Sequence, residues 1–231
     1  MKRKKTISMI DKWKDGFSVN VPKGKPTVKN QRGESKRTSL TLIKKEPVTF
    51  QLSRFERPKD FEAMRFVTKV CLKVADRPFK TVLHVEQTRR GSRLVASDGL
   101  RLHVAEISKK IKSGDYKVRV TKDTISLGKP LEGIEFPAWE KAVPKNVVKS
   151  GVIDLGKSGK GNAVKKAAEM SLAFNALNAK TGLVVNMRYV AELPKTAWAV
   201  YKEPGFGKVM VKQQGGEDNA FAVFVPVGKA A

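Results

Sequence analysis

Between Thr81 and Leu127 the chain is written as short runs of alternating apolar and polar residues cut by glycines, and this pattern constrains the fold more than any other feature. The runs are Thr81-Val-Leu-His-Val85, Leu94-Val-Ala-Ser97, Leu100–Ile107, Tyr116-Lys-Val-Arg-Val120 and Thr124-Ile-Ser-Leu127, with Gly91, Gly99, Gly114 and Gly128 between them. Side chains of a strand point alternately to its two faces, so a period of two marks a half-buried strand. Short connections can join only antiparallel neighbours. The clearest joint is Asp98-Gly99, an Asp-Gly pair between apolar-rich runs, which predicts a type I′ hairpin with φ > 0 at both central residues.

A helix is expected before these strands, from about Pro58 to Ala75. Pro58 suits the first helical position, and Asp60 and Glu62 suit the first turn. Phe61, Met64, Val67, Cys71 and Val74 share one face of it, and Arg65, Lys69 and Lys73 form a cationic stripe at spacings of four. Val48-Thr-Phe-Gln-Leu52 is a candidate strand ahead of this helix. A helix followed by a run of strands predicts an α+β fold with helices on one face of antiparallel sheets. No second helix is expected between Ile107 and Phe136. Phe136-Pro-Ala-Trp139 and Pro144 instead read as a shaped connection, since proline is excluded from central strands.

The order strand, helix, strands recurs after Val147. Val152-Ile-Asp-Leu155 is a short strand and residues Ala163 to Ala179 a helix. Ala163, Ala167, Met170, Phe174 and Leu177 face one side of that helix, and Lys165, Lys166 and Glu169 another. Leu183-Val-Val185 leads into a short helix, Met187–Leu193, and strands follow at Trp198–Tyr201, Lys208–Lys212 and Ala220–Val227. Three sections result: a basic arm over residues 1–47, a second section over 48–146 and a third over 147–231.

The 231 residues carry 47 Lys and Arg against 22 Asp and Glu, a formal net charge of +25. Such an excess calls for a polyanionic partner, most often nucleic acid. Fourteen of the cations lie in residues 1–47, as in Lys2-Arg-Lys-Lys5 and Ser35-Lys-Arg37, where they suit phosphate binding without sequence readout. Phe17-Ser-Val-Asn-Val21 and Leu40-Thr-Leu-Ile43 alternate like strands and are candidate edge strands. No apolar run is long enough to span a bilayer, and the basic N-terminus lacks the apolar core of a secretory signal. The single cysteine, Cys71, suits a reducing compartment, so the cytoplasm of a bacterial or virus-infected cell is the expected setting.

Catalytic patterns are weak. Gly151-Val-Ile-Asp-Leu-Gly-Lys-Ser158 fits the phosphate-loop pattern G-x-x-x-x-G-K-[ST], and a nucleotide-binding protein is the least favoured of three readings. Its core, Val152–Leu155, reads as a strand rather than a loop, and Gly159 and Gly161 interrupt a helix from Lys157. His84 and His103, with one cysteine, do not make a zinc site of ordinary spacing. No enzyme activity, cofactor or metal is expected.

Four segments in order carry a resemblance to the bacterial DNA polymerase sliding clamps. Ser97-Asp-Gly-Leu-Arg-Leu102 resembles the T-D-G-H-R-L turn of that family. Phe136-Pro-Ala-Trp-Glu-Lys-Ala-Val-Pro-Lys-Asn146 resembles its F-P-D-Y-R-R-V-L-P-K-N. Val185-Asn-Met-Arg-Tyr-Val-Ala-Glu-Leu193 is similar to its F-N-x-x-Y-L-x-x-x-L helix start, and Ala222-Val-Phe-Val-Pro-Val227 to its V-V-M-P-M strand. The resemblance implies a DNA-clamp fold with the second and third sections as two clamp-like domains. It implies a processivity factor that encircles double-stranded DNA and tethers a DNA polymerase, with a clamp loader as a further possible partner. Family rings have six domains, so two per chain imply a homotrimer. The family lines its hole with helices, which assigns DNA contact to Arg65, Lys69, Lys73, Lys165 and Lys166. Its partner-peptide pocket maps to Ser97, Gly99, Leu100, Arg101, Leu102, Pro137, Lys141, Ala142, Val223 and Val225. Leu100 replaces a histidine of the family pattern, and Lys141 and Ala142 replace an arginine and a valine, so peptide specificity is expected to differ. A clamp domain holds two helix-plus-strands units, and each section here shows only one well-formed set. The runner-up is a basic nucleic-acid-binding accessory protein with a clamp-like fold and no ring.

Overall fold

Ten strands pair edge to edge into one antiparallel sheet, and both body sections contribute to it. The computed structural model describes residues 47–156, 163–205, 207–215 and 220–229, with side chains at 163–166 left out. Residues 1–46 of the basic arm, with both of its candidate edge strands, lie outside the described residues, which all fall in one compact unit, Lys44–Ala231.

The second section supplies β1 (Phe50–Ser53), α1 (Pro58–Thr68), β2 (Leu83–Gln87), β3 (Ser92–Ser97), β4 (Arg101–Ile107), β5 (Gly114–Val120) and β6 (Thr124–Leu131). The third supplies β7 (Val148–Asp154), α2 (Ala163–Thr181), β8 (Leu183–Val184), α3 (Met187–Glu192), β9 (Ala197–Lys202), β10 (Val209–Gln213), β11 (Phe221–Phe224) and β12 (Gly228–Lys229). The order across the sheet is β1-β6-β5-β2-β3-β4-β11-β10-β9-β7, and β12 pairs with β8 apart from it. The two sections meet where β4 pairs with β11, with Leu102 opposite Val223 and Val104 opposite Phe221. They share this sheet and one apolar cluster, and each brings one long helix.

Both long helices pack on the same face. Phe61, Met64, Phe66 and Val67 of α1 and Ala173 and Leu177 of α2 are buried with Leu94, Ile125, Trp198, Val200 and Phe224 of the sheet. On the opposite face Val95, Leu102, Val104, Met210 and Val223 form a second cluster, roofed by Trp139 in a 3₁₀ turn at Trp139–Ala142. The alternation along β4 explains the division, because Leu102 and Val104 go to one face and His103 and Ala105 to the other.

Four local expectations are corrected. The first helix stops at Thr68 rather than Ala75, because the chain turns to pair elsewhere: Leu72 N–H donates to Lys80 O at 2.8 Å and Cys71 Sγ–H to Val82 O at 3.3 Å. Val74, expected on the apolar face, is exposed, and so is Ala167 of α2. The Asp98-Gly99 joint is not type I′. Only Gly99 has φ > 0, at 92°, while Asp98 Oδ1 accepts from Leu100 N–H and Arg101 N–H, an Asx turn with glycine first as in type II′. The strand through the phosphate-loop pattern is longer than expected, and Gly151 to Asp154 pair with β9. Those backbone groups serve the sheet instead of a loop. As expected, the β5–β6 hairpin stands where a second helix of the section is lacking.

Candidate nucleic-acid and partner interface

The cations assigned to the helix face do not form one uncompensated stripe. Arg65 of α1 lies 4.0 Å from Glu62. Lys69 follows the last helical residue, and its Nζ donates to Glu192 O at 2.6 Å. Lys73 is exposed in the loop beyond, where it and Lys117 line a cavity of about 420 Å³ with Thr68, Cys71, Leu72 and Thr81. The backbones of Lys165 and Lys166 lie in the first turn of α2, and their side chains fall outside the described residues. The described outward positions of α2 include the uncharged Ser171, Leu172, Asn175 and Ala179, and the last turn of the helix carries an exposed cation, Lys180.

The residues assigned to a peptide pocket divide between the faces. Leu102 and Val223 are directly opposed and buried, and Ala142 packs against the same cluster. Leu100 and Val225 carry this apolar row outward to 56% and 39% exposure, joined by Val225 N–H donating to Leu100 O at 2.9 Å. Ser97 Oγ donates to Arg101 O and accepts from Gly99 N–H, which fixes the turn. Pro137 and Lys141 are exposed at the roof. Arg101 turns to the helix face instead.

There Arg101 ties the two sections together. Its side chain is 8% exposed, Nε donates to Asp98 Oδ2 at 2.9 Å, Nη1 pairs with Glu192 of α3, and the guanidinium stands 4.6 Å over the Tyr189 ring. Burial raises the pKa of Glu192, against the pull of Arg101 and Lys69. Burial likewise lowers that of Lys69, against the pull of Glu192. Beside it, His103 is fully buried, stacks on Phe66 at 4.3 Å and donates from Nδ1 to Phe66 O at 3.0 Å. Burial lowers its pKa to about 3, with Arg101 and Lys69 adding to the effect against the Phe66 hydrogen bond. Burial raises the Cys71 thiol to about 12, so it is a poor nucleophile.

Sequence reasoning missed the polar row under the roof. His84 Nδ1 meets Asp115 Oδ1 at 2.8 Å and its ring stacks on Phe136 at 4.6 Å. Trp139 Nε1–H donates to Glu86 Oε1 at 2.8 Å, and Arg93 bridges Glu86 and Glu106. Alternating histidine, acid and arginine on β2 to β4 was the available signal. Nothing in this row or elsewhere among the described residues groups three His, Cys, Asp or Glu as a metal would need. No described helix is long and apolar enough to cross a membrane.

Neither a protein-family model nor a curated protein matches the chain. Solved structures do. The DNA polymerase sliding clamp from Pseudomonas aeruginosa is similar with a TM-score of 0.51 at 13% identity, over 78% of this chain and 67% of that one. DNA polymerase III beta chain from Streptococcus pneumoniae is similar with a TM-score of 0.50 at 11% identity, over 84% and 68%. Caulobacter crescentus pol III beta is similar with a TM-score of 0.50 at 12% identity, over 77% and 64%. The chain therefore has the α+β fold of the sliding clamps and spans about two thirds of their length.

Proposed function

We propose that this chain is a clamp-type processivity factor, which holds duplex DNA without chemistry of its own and tethers replication proteins. The observation that carries the reading is the clamp fold itself, matched over 78% and 84% of the chain, in company with a net charge of +25. In this reading Lys73, Lys165 and Lys166 meet phosphates directly, while Arg65 and Lys69 exchange their present partners for them. Such contacts carry no base information and permit sliding. Leu100 and Val225 form the accessible part of the peptide pocket, beside Ser97, Gly99, Pro137 and Lys141. Leu102, Ala142 and Val223 form its floor, and Arg101 braces it from behind. A polymerase and a loader are the proposed partners, and the working form is a homo-oligomeric ring in the cytoplasm.

The test is the mass of the full chain in solution, by light scattering after gel filtration, at low and high salt. A salt-resistant oligomer is expected: three copies if each section counts as a clamp domain, six if each counts as half of one. A monomer at micromolar concentration in both salts would exclude a stable ring. The second reading, a basic accessory protein without a ring, is favoured by one observation, the engagement of Arg65 and Lys69 with Glu62 and Glu192 on the helix face.

A further inference from the structure

We propose that the β2–β3 and β4–β5 turns together form a nucleic-acid backbone site, apart from the helix face. The β2–β3 turn reads Thr88-Arg-Arg-Gly91, and the β4–β5 turn Ser108-Lys-Lys-Ile-Lys-Ser113. Antiparallel pairing brings both turns to one end of the sheet, because Ser92 stands opposite Ile107 and Val85 opposite Gly114.

The two turns are bound to each other. A Cβ on Gly91 would stand 1.9 Å from Ile107 O, so the backbones touch. Ile111 N–H donates to Ser92 Oγ at 2.7 Å, and Gln87 N–H to Ser113 Oγ at 2.9 Å. Gly91 N–H donates to Thr88 Oγ1, and Asp60 of α1 accepts from Ser108 N–H and Oγ–H. This rigid double turn presents Arg89, Arg90, Lys109, Lys110 and Lys112, all exposed, and neither turn contains an acid.

Several cations elsewhere are neutralised. Arg93 bridges two carboxylates, Arg101 bridges two more, and Arg57, Arg65 and Lys80 each meet one. Among the described residues, no ion pair engages the five on the double turn. Held close together, they repel one another, and a row of phosphates relieves that repulsion through counterion release. No apolar or aromatic side chain of the two turns is exposed to anchor a protein partner. The shared chemistry is a phosphodiester backbone, duplex or single-stranded, and the site does not depend on ring formation.

The experiment measures binding of the full chain to a labelled 20-base-pair duplex and a 20-nucleotide single strand by fluorescence anisotropy, across a salt series. One variant changes Arg89, Arg90, Lys109, Lys110 and Lys112 to Ala. A control removes five exposed cations elsewhere, Arg119, Lys122, Lys129, Lys149 and Lys195, and circular dichroism checks that both variants fold. The expected result is a roughly tenfold or greater loss in the first variant only, with the log–log salt slope reduced by about 0.9 per lost phosphate contact on duplex and about 0.7 on single strand. The larger number of lost contacts, each slope change divided by its per-contact value, identifies the preferred strand form. Equal losses in both variants, or an unchanged slope in the first, would overturn the proposal. So would equal binding of polyglutamate and DNA at the double turn, which points to an acidic protein instead.

Discussion

Gly91 occupies a place where the missing side chain is the point. Its conformation needs no glycine, since its φ is not positive, but any Cβ would enter the carbonyl of Ile107. The obstacle is backbone, so the neighbour cannot rotate aside. We expect Gly91→Ala to lower stability by about 2 kcal/mol, within the range for overpacking, measured as the shift in urea midpoint at constant slope. Gly133 is the contrasting case: it has φ of 72° and nothing near it, so it is retained for backbone freedom alone. Both are plain glycines in the sequence. The steric role of Gly91 was illegible there because Ile107 arrives from another strand.

Where helix α1 meets strand β4, the joint is the stacked pair of Phe66 and His103. His103 binds a proton below its ordinary value of 6.5 when unfolded but only below about 3 when folded. Between those values the unfolded chain therefore holds more protons, so this histidine's contribution is full above pH 6.5 and is lost as pH falls. The slope reaches about 1.4 kcal/mol per pH unit for one proton. Thermal unfolding at pH 7, 6, 5 and 4 should show a steeper decline in the parent than in His103→Phe. At this scale the sequence was uneven. The start of α1 was legible because Pro58 and Asp60 are local signals, and the strands from β2 to β6 because alternation is local too. The end of α1 was not, because Lys80 and Val82 decide it from across a loop. Lys73 was placed on the wrong element for the same reason. Leu102 and Val223 came into one reading only through resemblance, since no local pattern tells β4 to choose β11.

At the scale of the molecule, one sheet joins two sections, and Arg101 fastens the joint from the helix side. It links the turn after β3 to α3 of the third section. Removing it leaves Glu192 and Asp98 partly buried without their cation. We expect Arg101→Ala to cost about 3–5 kcal/mol, read as a lower unfolding midpoint. Arg101→Lys should recover only part of it, since an ammonium cannot make both contacts in one plane or stack as well on Tyr189. The charge plan was legible in total but not in place: composition gave the excess, while the fold shows which cations pair with carboxylates.

The pairing of β4 with β11 also sets a timetable. About 120 residues of chain separate the two strands, so during synthesis β4 emerges long before its neighbour exists. Until then it is an open edge, with Leu102 and Val104 uncovered on one side and without Phe224 beside His103 on the other. Non-local pairing of this kind folds slowly and leaves unpaired edges exposed meanwhile. A ribosome stalled before Phe221 would hold two parts of a sheet that are not yet joined.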